Sequence, residues 1–150
     1  MLNFQRKNSN SNTQVGNDFE SLVAELLSSE FPSLTKNFTV DIGIKTKKPH
    51  KFDLGSYEPK VIIECKAHTW TESGKTPSAK MTTWDQVLYY FYLAPNDYKK
   101  LFIVQKDMNQ RKGETLCNYF LRTHNHLIPP DIEFRELDEQ KKELIKVYPY

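Results

Sequence analysis

Val61-Ile62-Ile63-Glu64-Cys65-Lys66 is the stretch on which the reading of this chain turns. A short, continuous apolar run rich in β-branched residues predicts a buried strand. Side chains alternate along a strand, so Glu64 and Lys66 share one face while Val61, Ile63 and Cys65 share the other. A carboxylate and an ammonium at the end of such a strand are costly to bury without partners. The nearest candidate partner is Asp53, in the apolar segment Phe52-Asp53-Leu54. If the two segments pair, Asp53 and Glu64 converge with Lys66 beside them. Two hard oxygen donors at that distance suit magnesium, which is held by one or two carboxylates plus substrate phosphate. The pattern points to metal-dependent phosphodiester chemistry.

Composition narrows the alternatives. At 150 residues with 38% apolar content, the chain is expected to fold as one globular domain with a hydrophobic core. Its 21 basic and 19 acidic residues leave a net charge of only +2, so any phosphate-binding surface must come from local clustering. The two cysteines, Cys65 and Cys117, form neither a zinc spacing nor a disulfide framework. Cys65 is expected as a small core residue behind the catalytic strand. The N-terminus lacks the apolar stretch of a signal peptide. The longest apolar run, 87–94, is too short to cross a bilayer. A soluble, cytoplasmic protein is expected.

Outward from the strand, the order of elements follows from periodicity. Residues 1–15 are set aside as a flexible N-terminal arm, because 5–14 are rich in Asn, Ser, Gln and Lys without a period. The rest, 16–150, is taken as a single domain. A helix is predicted over 17–30, with Phe19, Leu22, Val23, Leu26 and Leu27 as its apolar stripe and Pro32 beyond its end. A strand over 38–44 and a basic turn over 45–51 lead to the Asp53 strand. A polar loop over 69–78 follows the Glu64 strand. A helix over 79–93 is expected to turn Met81, Trp84, Val87, Leu88 and Phe91 inward. Leu101-Phe102-Ile103-Val104 reads as an interior strand. A third helix over 114–121 and a last strand over 132–137 complete the set, and 133–146 mixes charges like a solvated face. The fold class is α/β, a mixed central sheet flanked by helices with core order αβββαβ.

Asp53, ten intervening residues, then Glu64-x-Lys66 resembles the signature of the PD-(D/E)XK nuclease superfamily. Two more segments carry the likeness in the same order. Gly16-Asn17-Asp18-Phe19-Glu20 is similar to the Gly-x-x-Phe-Glu element that begins many of its domains. Gln86-x-x-x-Tyr90 is similar to the Gln-x-x-x-Tyr element of its exonuclease-like branches. Phe52 stands where the family name has proline. The resemblance spans residues 16 to about 105 and implies a restriction-endonuclease-like fold. It also implies Asp53, Glu64, Glu20 and the Cys65 backbone carbonyl around magnesium, for which manganese substitutes. Lys66 would orient water or stabilise charge on the phosphate, and Gln86 would hold catalytic water, Lys66 or DNA.

Each candidate has a plainer reading. Asp53, Glu64 and Lys66 could form a structural salt bridge at a sheet edge, although that leaves an ion pair on an otherwise apolar strand unexplained. Glu20 could be a first-turn acid favoured by the helix dipole, yet it lies at the edge of the apolar stripe, where a helix meets a sheet. Gln86 could be an exposed helix former, and Tyr90 core packing. His68 is read as a polar residue where the strand emerges, with phosphate contact as the alternative. His124-Asn125-His126 has the letters of another nuclease class without its spacing. Asp41 is expected to face solvent or support the site from behind.

For DNA, the basic groups are Lys45, Lys47, Lys48 and Lys51; Lys75 and Lys80; and Lys106, Arg111 and Lys112. The loop over 69–80, with His68 and Trp70, is the leading contact. The expected function is a magnesium-dependent endodeoxyribonuclease of restriction, homing or repair type that acts on double-stranded DNA and leaves 5′-phosphate ends. The alternative is a catalytically inactive DNA-binding domain of the same fold. Because Tyr89 and Tyr92 lie off the apolar stripe of their helix, a homodimer or higher oligomer is expected, unless the C-terminal segment folds back to cover them.

Overall fold

Helix α1 (Ser9–Leu26), strands β1 (Thr35–Ile42), β2 (Lys48–Tyr57) and β3 (Lys60–Lys66), helix α2 (Ser78–Leu93) and strand β4 (Lys99–Gln105) follow one another in the expected order. They are seen in a computed structural model, which describes residues 9–150. Next come β5 (Met108–Asn109), β6 (Glu114–Thr115), α3 (Leu116–His124), β7 (Ile132–Asp138) and β8 (Glu143–Tyr148). Six strands form one mixed sheet in the order β1-β2-β3-β4-β7-β8, and β5 and β6 form a separate small ladder. The β1–β3 meander is antiparallel, β3, β4 and β7 are parallel, and β8 returns antiparallel along β7.

The sheet has a core on each face, as an α/β sandwich requires. On one face Val15, Phe19, Leu22, Val23 and Leu27 pack on Leu54, Val61, Ile63, Leu101 and Ile103. On the other, Met81, Trp84, Val87, Leu88 and Phe91 of α2, with Phe120 and Leu121 of α3, cover Phe38, Phe52, Ile62, Phe102 and Phe134. The stacked rings of Phe52 with Phe91 and of Phe102 with Phe134 tie this second layer to the central strands.

Several boundaries differ from expectation for identifiable reasons. Helix α1 begins at Ser9, inside the stretch set aside as a flexible arm; residues 1–8 of that stretch lie outside the described residues. Val15 extends the apolar stripe one turn upstream of Phe19, and Gln14 donates a hydrogen bond to Asp18 one turn later. Strand β2 starts at Lys48, so most of the expected basic turn is strand, paired along β1 from Ile42↔Lys48 onward. The mixed-charge C-terminal run contains β8, and Tyr148 packs edge-on against Phe134. That strand extends the sheet edge, and Tyr89 and Tyr92 remain exposed at 53% and 66%. Among the described residues no helix is long and apolar enough to cross a membrane.

Candidate active site

Strand β2 breaks its alternation at Asp53. Phe52 lies in the α2-side core and Leu54 in the α1-side core, although residues two apart on one strand should share a face. The break is shared with the neighbouring strand. Register runs Lys36↔Leu54 and then Phe38↔Phe52, and the skipped residue opposite Asp53 is Asn37, held at φ 54°. A positive φ is uncommon outside glycine, and asparagine is among the residues that tolerate it best. On the other side, the β2–β3 ladder begins only at Leu54↔Ile63. Asp53 is thereby turned into the gap between β2 and β3, where its Oδ2 accepts the Cys65 N–H at 2.8 Å.

Two more carboxyls meet Asp53 there. Glu64, at 7% exposure, comes from β3. Burial first, then the Asp53 charge, push its carboxyl up to about 9, against a downward pull from Lys66. Glu20 reaches in from α1. Burial, then a hydrogen bond with Asp53 and the Asp53 charge, push it up to about 7, while Lys36 and Lys66 pull it down. Lys36 is steadied by donating to Ser21 of α1 at 2.8 Å. The three carboxyls thus form one electrostatic cluster centred on Asp53, with Lys66 acting on both glutamates. Burial, and then all three carboxyls, push the thiol of half-buried Cys65 well up, which keeps it in the unreactive thiol form.

Among the described residues, no group of three or more His, Cys, Asp or Glu side chains stands as a ready-made metal cage. Magnesium needs less than that: one or two carboxylates, with waters and substrate phosphate completing its shell. Asp53 and Glu64 fit this description, being hard oxygen donors on the neighbouring strands β2 and β3. Burial, and then repulsion from Asp53, drive Glu64 and Glu20 toward their protonated forms, a penalty that a cation would relieve. In comparisons with known proteins, no family model, no curated protein and no solved structure matches this chain.

The outer candidates divide. Gln86 is exposed on α2, whereas Tyr90, one turn on, is half-buried and lies against the His50 ring at 4.1 Å between centroids. His68 accepts the Trp84 indole N–H on Nδ1 at 2.9 Å, which fixes that nitrogen as an acceptor and leaves the ring's hydrogen to Nε2. Trp70 is buried at 8% exposure. Its backbone N–H donates to the Asp107 carboxylate and its indole N–H to the Asp107 carbonyl, both at 2.9 Å, so it anchors a loop and is not a free stacking platform. Lys45, Lys48, Lys51, Lys75, Lys80 and Arg111 are exposed or half-buried at the surface. Lys47 donates to the Gly43 carbonyl, Lys106 faces Asp138, and Lys112 sits 4.9 Å over the Trp70 ring. His124 stacks on Phe120 and pairs with Asp85 at 3.4 Å, a tie between α3 and α2. Asp41 is exposed.

Two neighbours of the cluster are not among the residues singled out from the sequence: Lys36, whose charge acts on Glu20, and His50. His50 places Nε2 3.9 Å from Glu64 Oε1. Strand alternation carries the signal, since His50 and Phe52 must share a face.

Proposed function

We propose that this chain is a magnesium-dependent deoxyribonuclease of restriction-endonuclease-like fold that hydrolyses phosphodiester bonds in double-stranded DNA. The observation that carries the reading is the convergence of Glu20 and Glu64 on Asp53, itself bonded to the Cys65 N–H, with the Lys66 charge acting on both glutamates. The α1-β1-β2-β3-α2-β4 order supports it too, because it sets the Asp53 and Glu64 strands side by side.

Asp53, Glu64 and the Cys65 carbonyl would hold the ion, with Glu20 completing the anionic shell. Bound there, magnesium would supply Lewis acidity toward a phosphoryl oxygen and a water of lowered pKa. Lys66 shares the strand face of Glu64 and would stabilise charge developing on the phosphate or orient the attacking water. The lysines of the loop after Lys66 and the start of α2, Lys75 and Lys80, and those of β2, Lys48 and Lys51, would follow the DNA backbone by charge, without reading sequence. Products would carry 5′-phosphate ends.

One site cuts one strand, and a homodimer would bring two together. Exposed Tyr89, Tyr92 and Leu127, with Leu88, Pro129 and, as the one charged lining residue, Asp85, line a mostly apolar groove of about 230 Å³ beside α2 that supports such pairing. Light scattering at micromolar concentration, with and without DNA, tests this; a strictly monomeric mass in both removes the dimer.

The direct test is cleavage of linear and plasmid DNA with magnesium, with manganese and with chelator. Metal-dependent cutting is expected for the wild-type chain and none for Asp53→Asn. DNA retained on the protein with no cutting under any metal would favour the inactive DNA-binding domain instead.

A further inference from the structure

His50 stands outside the sequence signature, yet its ring is fixed on two sides. Tyr90 lies against one face at 4.1 Å, tilted by 33°, and Phe52 meets it edge-on at 4.6 Å and 76°. This sandwich aims Nε2 toward Glu64 Oε1 across 3.9 Å. That gap exceeds a hydrogen bond, and a side-chain shift of about 1 Å closes it to the usual N–H···O distance. The same packing accounts for Tyr90, which braces His50 from α2, one turn beyond exposed Gln86.

We infer that His50 is a positioning residue that donates from Nε2 to Glu64 and holds that carboxylate in the orientation a divalent cation requires. This inference rests on the nuclease reading of the same site. Carboxylates that bind metal are themselves hydrogen-bonded by neighbours, and removing such a neighbour costs about 10–100-fold in metal affinity. Glu64 gains from this support because the neighbouring Asp53 charge repels it and Lys66 offsets that only in part. Strand β2 thus contributes twice, with Asp53 as a ligand and His50 as the brace for the ligand on β3.

The test compares His50→Leu, which keeps bulk and loses the donor, with His50→Gln, which keeps a donor at similar reach. Magnesium and manganese binding by the full chain is measured by calorimetry without DNA. The metal concentration for half-maximal cleavage is measured separately, and metal-free melting confirms that each variant folds. The leucine variant is expected to bind metal about 10–100-fold more weakly, and the glutamine variant to stay within a few-fold of wild type. The half-maximal metal concentration should rise more than the rate at saturating metal falls. A leucine variant with wild-type metal affinity overturns the inference and leaves the nuclease reading standing. A glutamine variant as weak as leucine assigns the effect to ring packing and also overturns it. A wild-type chain that binds neither metal overturns both.

Discussion

Replacing Glu64 by glutamine should make the metal-free protein more stable while removing its proposed activity. A carboxyl whose pKa rises from the ordinary 4.5 to about 9 on folding binds more protons folded than unfolded throughout that window. Stability therefore falls as pH rises from about 4.5 toward 9. At pH 7 the gap from the ordinary value is about 2.5 pH units, and at 1.36 kcal/mol per unit the penalty is about 3 kcal/mol. This is an upper bound, because the two glutamates of one cluster are displaced together and their protonation is linked. Glutamine has the shape of the protonated glutamate, keeps a donor toward Asp53 and does not titrate.

For a chain of this size about 1 kcal/mol moves Tm by about 2–4 °C. Glu64→Gln should thus raise the metal-free Tm by up to about 6–12 °C at pH 7, by more at pH 8.5, and by almost nothing at pH 5. Differential scanning calorimetry in chelator at the three pH values measures this. Saturating magnesium should narrow the difference by stabilising wild type alone. A Tm difference of the same size at pH 5 and pH 8.5 would refute the reasoning, since it would show that no buried charge is being removed.

Lys66→Ala should slow cleavage of bound DNA by about 10²–10⁴-fold with little change in affinity, measured by single-turnover kinetics beside a binding titration; collapsed binding with an unchanged rate would make Lys66 a DNA anchor. Magnesium added at pH 6.5 in weak buffer should release protons from Glu64 and Glu20, whose pKa values stand at about 9 and about 7, and none should be released above pH 10; a pH-stat titration counts them. Gly55→Ala should destabilise the fold by about 1–3 kcal/mol, because a Cβ there would overlap the Phe38 ring, and urea unfolding reads the loss. Trp84→Phe should cost about 1–3 kcal/mol by leaving His68 Nδ1 without its donor; a Tm equal to wild type would show that water replaces the indole.

Strand β3 and helix α1, which carry Glu64, Lys66 and Glu20, were legible because each has a clean period. The run Val61–Lys66 reads as a strand, and the stripe from Phe19 to Leu27 places Glu20 at the edge of a helix that meets the sheet. What periodicity could not give is the slip at Asp53. Alternation predicts that Phe52 and Leu54 share a face, and they occupy opposite cores because Asn37 adopts a left-handed conformation across the ladder. That slip turns Asp53 toward the Cys65 N–H, so a break in the pattern builds the centre of the cluster. The burial of Trp70 was hidden for a related reason. A tryptophan in a polar loop looks exposed, and only a long-range bond to Asp107 reveals that it is buried. The short β5–β6 ladder, joined to the 69–75 loop through Asn109 and Gly74, was likewise invisible to local pattern.

The energetic cost of the cluster also bears on what it is for. Local propensity and core packing agree over most of this chain, which is the condition for a single well-defined fold. The carboxyl cluster violates that agreement: Glu64 is buried among anions, its strand would be more stable with a neutral residue, and both glutamates titrate far above their ordinary range. A structural salt bridge would show the opposite sign, with carboxyls pulled down by their partners. That sign is seen elsewhere in the same molecule, at Glu30 beside Arg135 and at Glu114 beside Arg122. At Glu64 and Glu20 burial and the Asp53 charge outweigh the pull of Lys66, so neither glutamate behaves as half of a surface ion pair. Carboxyls displaced by burial together with a specific charged neighbour mark a functional-site candidate, and that is the physical ground for proposing a metal-binding role for this cluster.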